Sequence, residues 1–484
     1  MDASMAGSGP YLLILLLISI VFIIVLTSKF HLHPFLSIIA ATYLFGLGAN
    51  LIGHMLYGKS LIDSVSKTMT SGFGGILAEI GLVIIFGTII GKILEKTGAA
   101  VTMAETVLKW TGHRHPALGM SIIGWVVSIP VFCDSGYVVL SSLNKSIAKK
   151  SNVNVVVTSV ALATGLYASH TFVPPTPGPI AAAGNLGIGA NGLIWVILFG
   201  AFVSLFTMAA GYIWAVKFSK NLSADLPDLK ETFEAYKAGF GSIPSAGSAF
   251  APIVIPIVLM ALGSIANFPV GTLPDGSKQT LLSGPLYTVV DFIGQPVQAL
   301  FIGVIFAFLL LAKGRGEEAL TKWTGEGMKD AAIIIMITGA GGAFGSMIAA
   351  TPIAAYIKTL LGDNSFFVGA GALFILFLIA ALLKTAQGSS TAALVITSTI
   401  AMPLLSTLGL DGMMGNIPIG PVLAVMAIGS GAMVVSHVND SYFWVVSQFS
   451  GMSVTTAYRA QTMATLLQGI VGIVVTYLLG LLLL

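Results

Sequence analysis

The sequence predicts an all-α, polytopic membrane protein of two inverted-topology repeats, each with a re-entrant hairpin and a broken transmembrane helix. Three observations predict it. The 22 basic and 19 acidic residues among 484 make the chain 8% charged and 56% hydrophobic, whereas soluble domains run near ~25% charged. Apolar stretches of about 17 to 28 residues recur between polar or turn-rich breaks, which is the length a helix needs to cross a bilayer. The two halves also share an order of residues. At an offset of 254, Gly87 meets Gly341, Gly91 meets Gly345, Thr97 meets Thr351, Ala100 meets Ala354 and Ser135 meets Ser389, and Ser169-His170 recurs as Ser436-His437 at an offset of 267.

Composition excludes several classes. A net charge of +3 offers no surface for nucleic acid, and the single Cys133 excludes an internal disulfide. The N-terminus lacks the basic region of a signal peptide, so Tyr11 to Leu26 reads as the first retained span. Strand-like alternation is absent, and 56 glycines suit close helix packing in lipid.

Charge placement orients the elements. Basic clusters at 109–115, 145–150, 217–237 and 313–329, with Arg459, belong in the cytoplasm. Span 11–27 then runs inward, 34–57 outward and 72–92 inward, and 98–110 reads as an interfacial helix. Residues 117–143 begin and end between basic loops on one side, which calls for a re-entrant hairpin with Pro130 to Tyr137 at its tip; two short full spans are the alternative. Spans 153–173 and 191–216 complete a first repeat, 1–216, and a cytoplasmic linker, 217–249, follows. In the second repeat, 250–484, the spans are 250–268, 285–312, 330–350, 420–446 and 462–484. A second hairpin, 366–404, enters from the opposite side with Lys384 to Thr391 at its tip. Both termini are expected outside, as in the inverted repeats of many secondary transporters.

Charges at membrane depth mark function by default, since each costs about 2.5–3.5 kcal/mol on insertion scales. This chain places Glu79, Asp134, Asp291, Lys384 and Asp440 there, with His170 and His437. Glu79 and Asp291 sit near span ends, where snorkelling to the interface explains them as well. The first tip, IPVFCDSGY, brings Asp134 and Ser135 beside Pro130. The second, KTAQGSST, brings Lys384, Gln387, Gly388, Ser389, Ser390 and Thr391. Two breaks stand at corresponding places: SHTFVPPTPGP, with His170, Thr171, Pro174, Pro175 and Pro177, and SHVNDSYFW, with His437, Asn439 and Asp440. Each proline removes a backbone donor, and broken half-helices expose N–H groups that suit a carboxylate. Structural readings stand beside these. Membrane histidines also serve packing, Ser and Thr often bond their own helix, and the paired GxxxG glycines fit helix contacts better than a site.

These tips and breaks resemble the gluconate:proton symporter (gluconate permease) family, within the wider ion transporter superfamily. The residues that carry the resemblance are IGLVIIFGTIIGKILEKTGA (80–99), IPVFCDSGYVVL (129–140), SHTFVPPTPGPIAAA (169–183), TGAGGAFGSMI (338–348), KTAQGSSTAAL (384–394) and SHVNDSYFW (436–444). The resemblance implies proton-coupled import of a sugar acid or a small hydroxy or amino acid, and a homodimer. The chain departs from the family's pattern at FCDSG, at PPTPGP in place of PPHPGP, and at Lys384 in place of arginine.

The expected function is therefore proton-coupled symport of a small organic hydroxy acid, gluconate or a related sugar acid first among them. Lys384 and half-helix ends would hold the carboxylate. Ser135, Thr171, Gln387, Gly388, Ser389, Ser390, Thr391 and Asn439 would line the substrate, and Asp134, His170, His437 and Asp440 are candidates for the proton. Access would alternate as the hairpin-bearing regions move against spans 34–57 and 285–312. Alternatives are sodium coupling, a proton symporter for D-serine, glycerate or lactate, an intramembrane hydrolase built on Ser135, and a channel. No cofactor or metal is expected.

Overall fold

The computed structural model describes residues 7–111, 115–189, 192–224, 237–267, 269–272, 278–361, 368–437 and 440–484. The chain is nearly all helical. Eight helices among the described residues are long and apolar enough to span a membrane, or up to ten if two bent pairs each count once.

The first half runs α1 (Gly9–Ser28), α2 (Pro34–Tyr57), α3 (Val65–Lys96), α4 (Ala99–Thr111), α5 (Pro116–Val127), α6 (Cys133–Lys150), α7 (Val155–Phe172), α8 (Pro177–Asn185) and α9 (Leu193–Phe218). The second runs α10 (Ala246–Ala266), a short antiparallel ribbon of β1 (Pro269–Thr272) and β2 (Lys278–Thr280), α11 (Gly284–Gly294), α12 (Pro296–Leu311), α13 (Thr324–Ala349), α14 (Ile353–Leu361), α15 (Ala372–Gln387), α16 (Ser390–Ala401), α17 (Ile419–Ala432), α18 (Ser441–Ser450), α19 (Val454–Ala457) and α20 (Met463–Leu483). The pattern of neighbouring helices recurs between the halves. α5 lies on α7 as α15 lies on α17, α7 on α9 as α17 on α20, and α3 on α12 as α13 on α2. The halves pack together extensively, α3 on α13 and α9 on α20, and two pairs of half-helices also cross between them: α6 lies on α18, and α16 lies on α8.

Several expectations need correction. The hairpin tips are shorter than the sequence suggested. α5 ends at Val127 and α6 already begins at Cys133, so Asp134 lies in a first helical turn. α15 runs through Lys384 to Gln387, leaving only Gly388 and Ser389 as the second tip. The polar residues mistaken for loop are helix ends, where side chains and ligands can satisfy free backbone groups. The third correction concerns 285–312, which is two helices bent by 70° at Gln295. Pro296 forces it: Gln295 is pushed out of helical geometry to ψ 140. The span 72–92 also belongs to a longer α3, and α8 lies between the expected spans 153–173 and 191–216. The linker's centre, 225–236, lies outside the described residues.

α7 and α17 form the core of their halves. All 18 residues of α7 and all 14 of α17 are buried. In lipid such helices associate through close contact rather than hydrophobic burial, and glycines provide it: a Cβ on Gly165 of α7 would lie 2.1 Å from Ser121 O of α5. Large apolar side chains on α1, α12 and α20, such as Ile14, Leu309 and Leu482, stay exposed, as a lipid-facing surface requires.

Candidate functional site

Each half-helix near the centre has a local reason to start where it does. Gly388 ends α15 in the left-handed region at φ +83, which a side chain would disfavour. Ser389 then caps α16, its Oγ accepting from Ala392 N at 3.2 Å. Asp440 caps α18, its Oδ1 accepting from Tyr442 N at 3.1 Å. Pro174 holds Val173 extended and stops α7, and Pro177 sits in the first turn of α8.

The consequence is that the N-termini of α6, α16 and α18 open on one cavity of about 260 Å³. Its wall comprises Phe132, Cys133, Asp134, Tyr167, His170, Gly388, Ser389, Ser390, Thr391, Asp440, Ser441 and Tyr442. Drug-sized ligands occupy about 300–1,000 Å³, so this space suits a smaller molecule.

Beside the cavity lies one buried ion pair. Lys384 is wholly buried, and its Nζ donates to Asp440 Oδ2 at 2.6 Å and to Gly388 O. Ser436 Oγ donates to the same carboxylate oxygen at 2.6 Å. Tyr167 stacks on Tyr442 with ring centroids 5.2 Å apart, and the ammonium stands 5.9 Å from the Tyr167 ring centre. Tyr442 donates its hydroxyl to Ala163 O at 2.8 Å, tying α18 to α7. Removing either charge alone would leave the other buried without compensation, a loss of about 3–5 kcal/mol.

The structure brings Asp134, His170, Gly388, Ser389, Ser390, Thr391 and Asp440 to the cavity. Ser441 Oγ donates to Asp134 Oδ1 at 3.2 Å. His170 is 6% exposed, and its Nδ1 has no protein partner. Other expected residues fall elsewhere. Thr171 donates its hydroxyl to Tyr167 O and Ala168 O of its own helix, and it is absent from the cavity wall. His437 donates Nε2–H to Thr385 O at 2.9 Å, bracing the second break on α15. Lys384 already holds an internal carboxylate. Pro130 and Pro175 turn their carbonyls to α3, where a Cβ on Gly91 would lie 2.5 Å from Pro130 O and one on Gly87 2.9 Å from Pro175 O. Gly341 and Gly345 meet Thr399 of α16 in the same way, at 2.6 and 3.0 Å. Both GxxxG pairs are thus close packing contacts. Asp291 accepts from Asn267 and Gln295 at 2.7 and 3.2 Å. Asn439 lies outside the described residues, as do the side chains of Glu79, Ser135 and Gln387.

Sequence reasoning overlooked Tyr167, Ser436 and Tyr442. Ser436 and Tyr442 lie inside the SHVNDSYFW motif, and Tyr167 precedes His170 by three positions, one helical neighbour away.

Comparison with known proteins places the chain. Residues 11–482 match the family of GntP permeases. A gluconate permease of Pseudomonas aeruginosa is 30% identical over 480 residues, covering 98% of each chain. The D-serine transporter DsdX of Escherichia coli K12 is 31% identical, over 96% of this chain and 97% of that one. Among solved structures, the YdaH transporter of Alcanivorax borkumensis has a similar fold, with TM-score 0.64 over 92% of this chain and 98% of that chain at 15% identity. The chain belongs to the GntP family of permeases and is a multi-pass membrane transporter.

Proposed function

We propose that this permease carries a small hydroxylated organic anion, a sugar acid such as gluconate first, by symport with a proton. The observation that carries the reading is the Lys384–Asp440 pair at a cavity where three helix N-termini converge. Those N-termini and Lys384 suit one carboxylate, and the hydroxyls of Ser389, Ser390, Thr391 and Ser441 suit a polyhydroxyl chain. Asp440 occupies Lys384 as the substrate carboxylate would. A proton on Asp440 weakens its hold on the ammonium, the incoming carboxylate takes its place, and one negative charge at Lys384 is exchanged for another. Substrate and proton then load together, because either alone leaves the buried site with an unbalanced charge. Asp134 and His170 face the same cavity and are further stations for the proton, while Ser135, Gln387 and Asn439 stand beside it in sequence.

The order of elements supports two inverted repeats, 1–216 and 250–484, joined by the linker 217–249. With the hairpins counted as re-entrant, the first half crosses the membrane an odd number of times, so the second starts from the opposite side. Basic loops in the cytoplasm then leave both termini outside, in a bacterial inner membrane. The family resemblance supports a homodimer.

D-serine is the second reading, since Asp134 offers a carboxylate to a substrate ammonium while Lys384 takes its carboxylate. The test is uptake into proteoliposomes. A pH gradient without sodium should drive gluconate accumulation, and Lys384→Ala and Asp440→Asn should abolish it. Accumulation driven by a sodium gradient alone would overturn the proton reading. D-serine competing where gluconate and glycerate do not would assign the amino acid.

A further inference from the structure

The two pairs of half-helices that cross between the chain's halves are held differently. α8 and α16 run side by side away from the charged cavity. Near its origin, a Cβ on Gly178 of α8 would lie 2.8 Å from Leu394 of α16. At its far end Asn185, the last residue of α8, directs its Nδ2 to three acceptors on α16: Val395 O at 3.2 Å, Ser398 Oγ at 2.9 Å and Thr399 Oγ1 at 3.1 Å. Asn185 is 5% exposed and its Oδ1 has no protein partner, so this amide is committed to the helix contact. Past it lie two wider cavities of about 600 and about 520 Å³, which meet at Gly184 and Gly187. The larger presents Thr68, Ser71, Ser346 and Thr399 and no charged side chain. The α8–α16 contact is therefore the wall between these cavities and the charged one. α8 also has a turning point at each end, the proline break before it and Gly187 at φ +70 after it.

The other pair, α6 and α18, meets at the charged cavity through Ser441 Oγ and Asp134 at 3.2 Å and the edge-on rings of Tyr137 and Tyr442. On α18, Trp444 and Phe449 remain partly exposed. We propose that Asn185 is the latch of a gate formed by α8 and α16, closing the charged cavity toward the membrane face opposite the basic loops. Release of its amide from α16 lets α8 swing on its two turning points and joins the charged cavity to the neutral, hydroxyl-lined vestibule. The inference rests on the charged cavity being the substrate site. Asn185 acts through helix position and touches no substrate.

Cys133 lines the charged cavity and is the chain's single cysteine, so its labelling by a membrane-impermeant maleimide reports access. Labelling of the full chain is measured in vesicles of both orientations. Asn185→Ala removes every one of these contacts and should raise the rate from the face opposite the basic loops by at least about tenfold, given what a buried hydrogen bond contributes, with the rate from the basic-loop face unchanged. Ser398→Ala, which leaves two acceptors, should raise it less. An unchanged rate from the opposite face, including no labelling at all, overturns the latch. An equal rise from both faces also overturns it, because a merely structural residue would loosen both. Protection of Cys133 by gluconate is scored separately. A face-selective rise without protection would keep the latch and remove the substrate reading.

Discussion

The two broken helices stand at corresponding places and are built from opposite materials. Between α7 and α8 the interruption comes from Pro174, Pro175 and Pro177, set between two wholly buried helices without a charge. Missing donors and a fixed φ impose it covalently, so it holds at any ionisation state. Between α17 and α18 the interruption is held by contacts. Asp440 caps α18, pairs with Lys384 and accepts from Ser436, while His437 leans on Thr385 O. Val435 there adopts φ +55, a region that β-branched residues rarely enter. The difference teaches that one break persists whatever the charge and the other responds to it. A proton or an anion can alter the second break, and only tertiary contacts can transmit the change to the first.

The largest effect should follow from splitting the ion pair. Lys384→Ala should cost about 3–5 kcal/mol, seen as a lower Tm in detergent, whereas Lys384→Met with Asp440→Leu should recover most of the loss while transport stays absent. A double variant as unstable as the single one would break the view that charge holds the second break. Ser436→Ala removes one hydrogen bond to a carboxylate and should cost about 1.5–3 kcal/mol, with altered pH dependence of uptake. Gly388→Ala forces a side chain into the left-handed region and should cost about 1–2 kcal/mol by thermal unfolding. Tyr442→Phe deletes the bond to Ala163 O that carries α18 to α7, for about 1 kcal/mol and slower uptake. The smallest effect belongs to the proline break: Thr171→Val removes a hydroxyl bonded only to its own helix and should leave substrate affinity unchanged, as a binding titration would show.

Much of the fold was legible because lipid imposes a simple code. Apolar length, basic loops and paired breaks located α1, α2, α7, α9 and α20, and the helix pairs α5–α6 and α15–α16. The tips were misplaced because Asp134, Lys384 and Gln387 look like loop residues to a hydropathy reading, yet each lies in a helical turn. The bend at Gln295 was in view as Gly294-Gln295-Pro296, but tolerated prolines in α10, Pro252 and Pro256, show that composition does not decide which proline breaks a span. In the site, SHVNDSYFW and KTAQGSST announced chemistry, while Thr171 was indistinguishable in sequence from a site hydroxyl until its bond to Tyr167 O was seen.

By itself, the sequence determined a helical membrane protein, its two interruptions, and the residues able to carry charge at depth. Those follow from local rules: lipid cannot solvate backbone, proline cannot donate, and a lone charge is costly. Only the tertiary structure decided that Lys384 faces Asp440, that Tyr167 stacks on Tyr442, and that Asn185 joins α8 to α16. These partners lie 56, 275 and more than 200 positions apart, and no local rule relates residues that meet only when the two halves pack.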